Sequence, residues 1–396
     1  MKLSCDIQLP PSKSESNRAL MIAAYGGFPP DFKNLSDSHD TKILAEALGK
    51  AQNGVQEIDI ADCGTAARFM TTYLACHEGD WLLTGTERMK QRPIKPLVDA
   101  LLVLGADIQY VEKQGFLPLK IHGKKLQGGK VGIDMSQSSQ FASSLLLAAP
   151  MFPQGLELEL QGCANSLPYL DMTVRILCHF SAQAERRDRT VIVNPHPYKK
   201  QPFTVEPDWT AASYWYEMAA FSEECEIKLR TLKVPEPAAP EVPRRVEGPK
   251  GQPNLQGDAI IVEWMKSFGV CTTAVDDGII LTKTPFERKP LSFDFTNCPD
   301  LYPTIAATCA GMKIEATFTG LDNLRLKESD RIEAMRQELA KLGNTPLQFC
   351  AHNDHRVVMA LAPLALRYGS VTFDHPEVVE KSYPSFWSDC PFLAFR

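Results

Sequence analysis

The sequence predicts an α/β protein of two halves, each assembled from three repeated units with an apolar helix inside and strands outside. Three observations predict this. At six places along the 396 residues a small polar loop opens into an Ala-rich, nearly uncharged helix. Helices apolar on every face need burial inside a domain. Between them run amphipathic segments, three of which end in Leu-Gly or Phe-Gly and lead into β-like runs such as ADIQYV, the pattern of a capped helix followed by a strand.

In chain order the apolar helices are SKSESNRALMIAAY (12–25), CGTAARFMTTYLA (63–75), SSQFASSLLLAAP (138–150), DWTAASYWYEMAAF (208–221), DLYPTIAATCAG (300–311) and HRVVMALAPLAL (355–366). The first starts at Pro11 and Ser12, which are helix start signals, so Lys13 and Arg18 fall in its opening turns, where the backbone attracts anions. The amphipathic helices are RPIKPLVDALLVLGA (92–106), YLDMTVRILCHF (169–180), DAIIVEWMKSFGV (258–270) and SDRIEAMRQELAKLGN (329–344). The halves part near Glu206 to Asp208, after the loop NPHPYKKQPF. The Pro- and charge-rich stretch 234–254 has the composition of an extended surface loop.

Composition narrows the function. A hydrophobic content of 44% fills sizeable cores, and a net charge of −6 argues against a general nucleic-acid or membrane-surface partner, since both want a basic face. Eleven scattered cysteines, with no CxxC and no Cys/His cluster at metal-ligand spacing, suit reduced thiols in the cytoplasm; MKLSCDIQLP lacks the features of a signal peptide. The longest apolar runs, such as LLLAAPMF, fall far short of the roughly 18 residues of a membrane span. No GxxxxGK[ST], GxGxxG or GxSxG occurs, which leaves nucleotide binding and serine hydrolysis without their usual loops.

Against this acidic background, seven cations stand at or near helix starts, interleaved with Ser, Thr, Asn and Gln: Lys13, Arg18, Arg92, Lys327, Arg331, Arg356 and Lys381. If those starts converge, the set suits a small substrate with several phosphate or carboxylate groups. A helix beginning near Lys327 would put Lys327 and Arg331 on one face with Glu328 beside them, although a solvated, salt-bridged helix start has the same pattern. Arg356, opening a buried helix beside His355, needs a carboxylate partner; His355 itself reads as a cap, a core residue or a catalyst. Asp300 fits an N-cap or a general base, and Ser138, Ser139 and Gln140 fit ordinary capping or a neutral oxygen-binding set.

Taken together, SKSESNRAL, CGTAARF, RMKQRPI, SSQF, SLPYLD, EPDWTAASY, NCPDLYPT, LKESDRI, NDHR and KSYP resemble, in order and spacing over nearly the whole chain, the EPSP synthase (3-phosphoshikimate 1-carboxyvinyltransferase) family of enolpyruvyl transferases. The resemblance implies a two-domain inside-out α/β barrel with buried parallel helices, residues 12–207 forming the first domain and 1–11 with 208–396 a discontinuous second. It implies the shikimate-pathway transfer of the enolpyruvyl group of phosphoenolpyruvate to the 5-hydroxyl of shikimate 3-phosphate, with release of phosphate. No cofactor or metal is implied, and the expected protein is a cytoplasmic monomer.

Carried over by position, the resemblance assigns Ser14, Arg18, Ser138, Ser139, Ser166, Tyr169, Asn323 and Lys327 to shikimate 3-phosphate, with Asp300 on the reacting hydroxyl. Lys13, Arg92, Gln140 and Lys381 fall to the phosphoenolpyruvate phosphate, and Arg331 and Arg356 to its carboxylate. Glu328 is the implied proton carrier, with Lys13, Asp300 and His355 near. Gly64 lines the pocket where the family binds the inhibitor glyphosate. The chain departs from the family's pattern at Asp62-Cys63, where Asn-Ala is more common, and at Phe69, where Pro is. The competing readings are the sister reaction on a UDP-sugar, whose reactive-cysteine loop has no counterpart here, and an anion binder without turnover, which intact Lys13, Asp300, Glu328 and Arg356 disfavour.

Overall fold

The computed structural model describes residues 2–163, 165–234, 256–344 and 346–393. Buried apolar side chains form two clusters with no member in common. One runs from Leu20 to Tyr198; the other joins Leu3, Ile7 and Leu9 to residues from Trp209 to Leu393.

Three helices centre each cluster. In the first, Lys13–Gly26, Gly64–Cys76 and Ser139–Ala148 pack on one another; in the second, Tyr302–Met312 packs on both Trp209–Phe221 and His355–Leu361. Every residue of Trp209–Phe221 is buried, as a helix without a polar face requires. The six apolar helices thus stand where the sequence puts them. Two end sooner as α-helices than expected and tighten into 3-10 turns, Ala149–Met151 and Ala362–Leu364, because Pro150 and Pro363 bring no N–H to continue the ladder.

Strands lie outside these helices. Three sheets have four strands: Glu57–Asp59, Gly79–Thr84, Leu119–Gly123, Asp107–Tyr110; Gly129–Asp134, Leu156–Gln161, Thr190–Asn194, Gln183–Arg187; and Lys2–Ile7, Glu224–Arg230, Gly278–Lys283, Val270–Val275. Two parallel pairs, Leu291–Asp294 with Ala316–Thr319 and Leu347–Phe349 with Val371–Phe373, complete the second half. The N-terminal strand Lys2–Ile7 runs parallel to Glu224–Arg230. Gly105, Gly269 and Gly343 close the amphipathic segments at φ of 90°, 75° and 104°, a conformation that favours glycine. Of these segments, 258–270 proves to be one turn of α-helix, Ile261–Trp264, between two 3-10 turns. The stretch 234–254 lies, beyond Val234, outside the described residues.

The chain passes between the clusters at two places that lie side by side. Ser12 N–H donates to the Glu206 carbonyl at 2.7 Å, Asp208 N–H to the Pro10 carbonyl at 2.9 Å, and Pro11 bridges Pro207. The buried Glu15 carboxylate accepts from Glu206 N–H and from the Gln256 side-chain amide, so both crossings are tied to one point.

Candidate active site

Five central helices open onto one cleft. From the first half come Lys13, Ser14, Arg18, Gly64, Thr65, Arg68, Ser139 and Gln140; from the second come Asp300, just ahead of Tyr302–Met312, with His355 and Arg356. Because the helices of each half pack side by side and all present their N-terminal ends, they run parallel, and the positive ends of their dipoles meet at the cleft. Arg92, Ser138, Ser166, Tyr169, Asn323, Lys327, Glu328 and Arg331 complete the wall. Of the residues assigned to a substrate or to catalysis in the sequence, only Lys381 stands apart, on an adjoining cavity that Asp62 also lines and whose lining shares Arg92 and Glu328.

The second half supplies an interlocked set of carboxylates and guanidiniums. Arg331, almost wholly buried, donates to Asp300, Glu328 and Asp354, each at 2.8 Å, and Arg356 donates to Asp300 at 2.7 Å. Lys327 Nζ is 3.9 Å from Asp300, and Arg92, reaching across from the first half, is 3.6 Å from Glu328. Burial alone would raise the Asp300 and Glu328 carboxyls, but the cations outweigh it: Arg356, Lys327 and Arg331 hold Asp300 far below the carboxylate range, and Arg331 and Arg92 do the same to Glu328. Both are therefore ionised at neutral pH. Asp300 caps no helix; its oxygens go to the arginines.

One local expectation is corrected. No helix begins near Lys327: a 3-10 turn, Asp322–Leu326, ends there, and the helix Arg331–Leu339 starts four residues later, capped by Asp330 accepting from Glu333 N–H. Asp330 competes better for the N-cap than Lys327 can, and the bend at 327–329 lets Lys327, Glu328 and Arg331 all face the cleft. Arg88 of the first half fixes that stretch, donating to the Glu328 and Lys327 carbonyls at 3.0 and 3.1 Å.

On the first half's side, Lys13 Nζ donates to the buried Asp40 at 2.9 Å, and the other Asp40 oxygen lies 3.4 Å from Lys381 Nζ. Lys381 also donates to Asp62, to its carboxylate at 2.5 Å and its carbonyl at 3.1 Å. Burial would lower the Lys381 ammonium, yet Asp40, Glu328 and Asp62 raise it above the usual lysine range. Cys63, beside Asp62, is the N-cap of Gly64–Cys76; its thiol accepts from Ala66 N–H, and burial pushes its pKa upward, so it stays a thiol.

Arg18 differs from these paired cations. Its donors reach neutral oxygens, Thr173 and Ser143 hydroxyls with the Ser14 and Tyr169 carbonyls, and no carboxylate among the described residues lies within ion-pair distance. Burial lowers the Arg18 pKa to about 10, which still leaves the guanidinium charged. Ser138 caps Ser139–Ala148, accepting from Gln140 N–H; Ser166 sits at φ 61° before Leu167–His179; the buried Asn323 Oδ1 has no partner among the described residues. A fixed positive charge ringed by hydroxyls and an amide is a receptor for a phosphate or a polyol.

His355 is 1% exposed and neither ring nitrogen has a hydrogen-bond partner among the described residues. Burial, with Lys13 and Arg356 beside it, depresses its pKa well below the usual value, so the imidazole is neutral. Its capping role falls to Asp354, which accepts from Arg356 N–H.

Sequence reasoning missed Asp40, Arg68, Arg88, Asp258 and the ion-pairing role of Asp354. Arg68, bonded to the Gly64 and Pro93 carbonyls, braces two walls of the cleft, and its signal was a lone Arg in an apolar helix. Asp258 receives the Tyr169 hydroxyl at 3.5 Å, and burial together with Asp300 raises its pKa to about 7. Among the described residues no group of His, Cys, Asp and Glu could hold a metal ion, and no helix is long and apolar enough to cross a membrane.

The family model described as EPSP synthase (3-phosphoshikimate 1-carboxyvinyltransferase) matches residues 49–237 and 245–390. A 3-phosphoshikimate 1-carboxyvinyltransferase of Bacteroides fragilis (strain YCH46) is 40% identical over 409 residues, covering 98% of this chain and 95% of that protein. One from Syntrophobacter fumaroxidans is 31% identical over 425 residues, covering 97% and 96%. Among solved structures, an EPSP synthase from Acinetobacter baumannii superposes with a TM-score of 0.72 at 18% identity, over 99% of this chain and 96% of that one, and so shares the fold.

Proposed function

The chain belongs to the EPSP synthase family, and on that premise we propose how its cleft divides the work of enolpyruvyl transfer. The reaction joins C2 of phosphoenolpyruvate to the 5-hydroxyl of shikimate 3-phosphate, through a tetrahedral intermediate, and releases phosphate in the shikimate pathway.

Arg18 with Ser14, Ser138, Ser139, Ser166, Tyr169, Asn323 and Lys327 binds shikimate 3-phosphate, its uncompensated guanidinium meeting the phosphate. Lys13, Arg92, Gln140 and Lys381 hold the phosphate of phosphoenolpyruvate beside the Gly64 backbone. Arg331 and Arg356 take its carboxylate. Asp300 accepts the proton of the attacking hydroxyl, which forms the C2–O bond, while Glu328 delivers a proton to C3. In elimination the Glu328 carboxylate takes a proton back from C3 as the C2–phosphate bond breaks, and Lys13, Arg92 and Lys381 stabilise the departing phosphate. Neutral His355 lies beside Glu328 and Lys13 without competing for the anions.

The observation that carries this reading is the convergence of Lys13, Arg18, Arg92, Lys327, Arg331 and Arg356 with Asp300 and Glu328 on one cleft, where Arg331 and Arg92 keep Glu328 ionised without substrate. Those same cations are drawn to the substrate's oxyanions, so substrate weakens their hold and lifts the Glu328 pKa towards the range of a working acid. We take residues 12–207 and 1–11 with 208–396 as two domains that close about the paired crossings, excluding water from the intermediate. The protein acts in the cytoplasm as a monomer, with these two small molecules as its partners, without nucleic acid or membrane, and without a metal or organic cofactor. Mixing it with both substrates and no added metal, while following phosphate and the new enolpyruvyl ether by phosphorus and proton NMR, is the test. Release of phosphate that requires both substrates supports the reading, and folded protein that yields no ether overturns it.

A further inference from the structure

The Lys381 ammonium donates to the Asp62 carboxylate at 2.5 Å and to the Asp62 carbonyl at 3.1 Å, and it lies 3.4 Å from Asp40 Oδ1 in an ion contact that is not a hydrogen bond. An anion that takes Lys381 must compete with these carboxylates for its charge. Asp40 is buried and shared with Lys13 at 2.9 Å, which fixes it. The Asp62 side chain is 45% exposed, does not cap the helix that follows, and has no ion partner among the described residues besides Lys381. The contact also spans the two halves, since Lys381 ends the 3-10 turn Pro376–Lys381 while Asp62 precedes Gly64–Cys76.

We propose that Asp62 is a specificity-determining residue: its carboxylate is a built-in competitor of the substrate phosphate for Lys381, and it weakens the affinity for phosphoenolpyruvate without touching shikimate 3-phosphate. The inference rests on reading Lys381 as a ligand of that phosphate. A half-exposed ion pair and the repulsion between its carboxylate and an incoming dianion together correspond to a factor of about five in affinity.

Steady-state kinetics and titration with phosphoenolpyruvate test it on the full chain and on three variants. Asp62→Asn and Asp62→Ala should each lower KM and Kd for phosphoenolpyruvate about five-fold, with kcat and the KM for shikimate 3-phosphate changed less than two-fold. Asp62→Glu, which restores a carboxylate within reach of Lys381, should return both constants towards those of the parent. A bracing role would instead raise KM in the Asn and Ala variants or lower their unfolding temperature. Unchanged or weakened binding in both variants overturns the proposal while parental turnover stands. If the parent neither turns over nor binds phosphoenolpyruvate, the functional reading fails and this inference falls with it.

Discussion

Replacing Gly64 by alanine isolates the phosphate side of the cleft. A Cβ at this position would stand 2.5 Å from Arg92 Nη1 and 2.9 Å from Cζ and Nη2, against an ordinary contact of 3.4 Å or more, so the guanidinium must retreat by about 0.9 Å. Arg92 is 8% exposed and its Nε and Nη1 have no hydrogen-bond partner among the described residues, so the retreat breaks no hydrogen bond, shifts only the 3.6 Å ion contact with Glu328, and the fold should tolerate it. What suffers is the contact proposed between Arg92 and the substrate phosphate. A hydrogen bond to a charged group contributes about 1.5–3 kcal/mol, and tenfold corresponds to about 1.4 kcal/mol. Gly64→Ala should therefore raise the KM for phosphoenolpyruvate about 10- to 100-fold, with the unfolding temperature and the KM for shikimate 3-phosphate nearly unchanged. Glyphosate should lose more affinity than the substrate. Steady-state kinetics in each substrate, with glyphosate inhibition alongside, is the assay. A phosphoenolpyruvate KM that stays put, or a shikimate 3-phosphate KM that rises in step, refutes the placement of the phosphate against Gly64 and Arg92; equal loss of both anions refutes the inhibitor claim.

Lys13→Met and Glu328→Ala should each lose activity by orders of magnitude at a retained unfolding temperature, and near-normal turnover of either folded variant would sink its role. Arg88→Ala, which frees the Lys327 and Glu328 carbonyls, should lower kcat about three- to ten-fold with little change in either KM, and Arg88→Lys should recover part of it; an unaffected kcat would show that the 327–328 stretch holds its shape unaided. Glu217 is fully buried with no hydrogen-bond partner for either oxygen among the described residues, and burial raises its pKa well above the ordinary 4.5. Its proton is thus held more tightly in the folded state, so its contribution is fullest below about pH 4.5 and declines as pH rises towards the folded pKa. Glu217→Met should raise the unfolding temperature by several degrees at pH 7 and by less at pH 4, and a drop at pH 7, or a gain independent of pH, would contradict this.

Much of this was legible because the central helices are so one-sided in composition. A helix such as Trp209–Phe221, buried at all its residues, announces its place by lacking a polar face, and the small polar loops ahead of these helices marked the cleft. The helix His39–Gln52 was missed although Leu44, Ala47, Leu48 and Ala51 bury one face of it, because its single polar start resembles a loop, and with it went Asp40. That Lys327 stands outside the helix Arg331–Leu339 was not legible, because i,i+4 spacing carries no information about which carboxylate caps. Asp258 and Arg88 act through partners 89 and 240 residues away, and pairings that distant leave no local pattern to read.

The parallel pairing of Lys2–Ile7 with Glu224–Arg230 has a consequence for a chain made from its N-terminus. The strand Lys2–Ile7 is an open edge when it is made, and its partner begins 222 residues later, from Lys2 to Glu224. At about 5–20 residues per second this is a wait on the order of ten to forty seconds, while the whole of the first core is already available to collapse. During that interval six residues of bare strand, Leu3 and Ile7 on its inner face, are exposed to any other edge they meet. The charged and polar residues that alternate with them, Lys2, Ser4 and Asp6, keep that strand apart from its neighbours until its own sheet arrives.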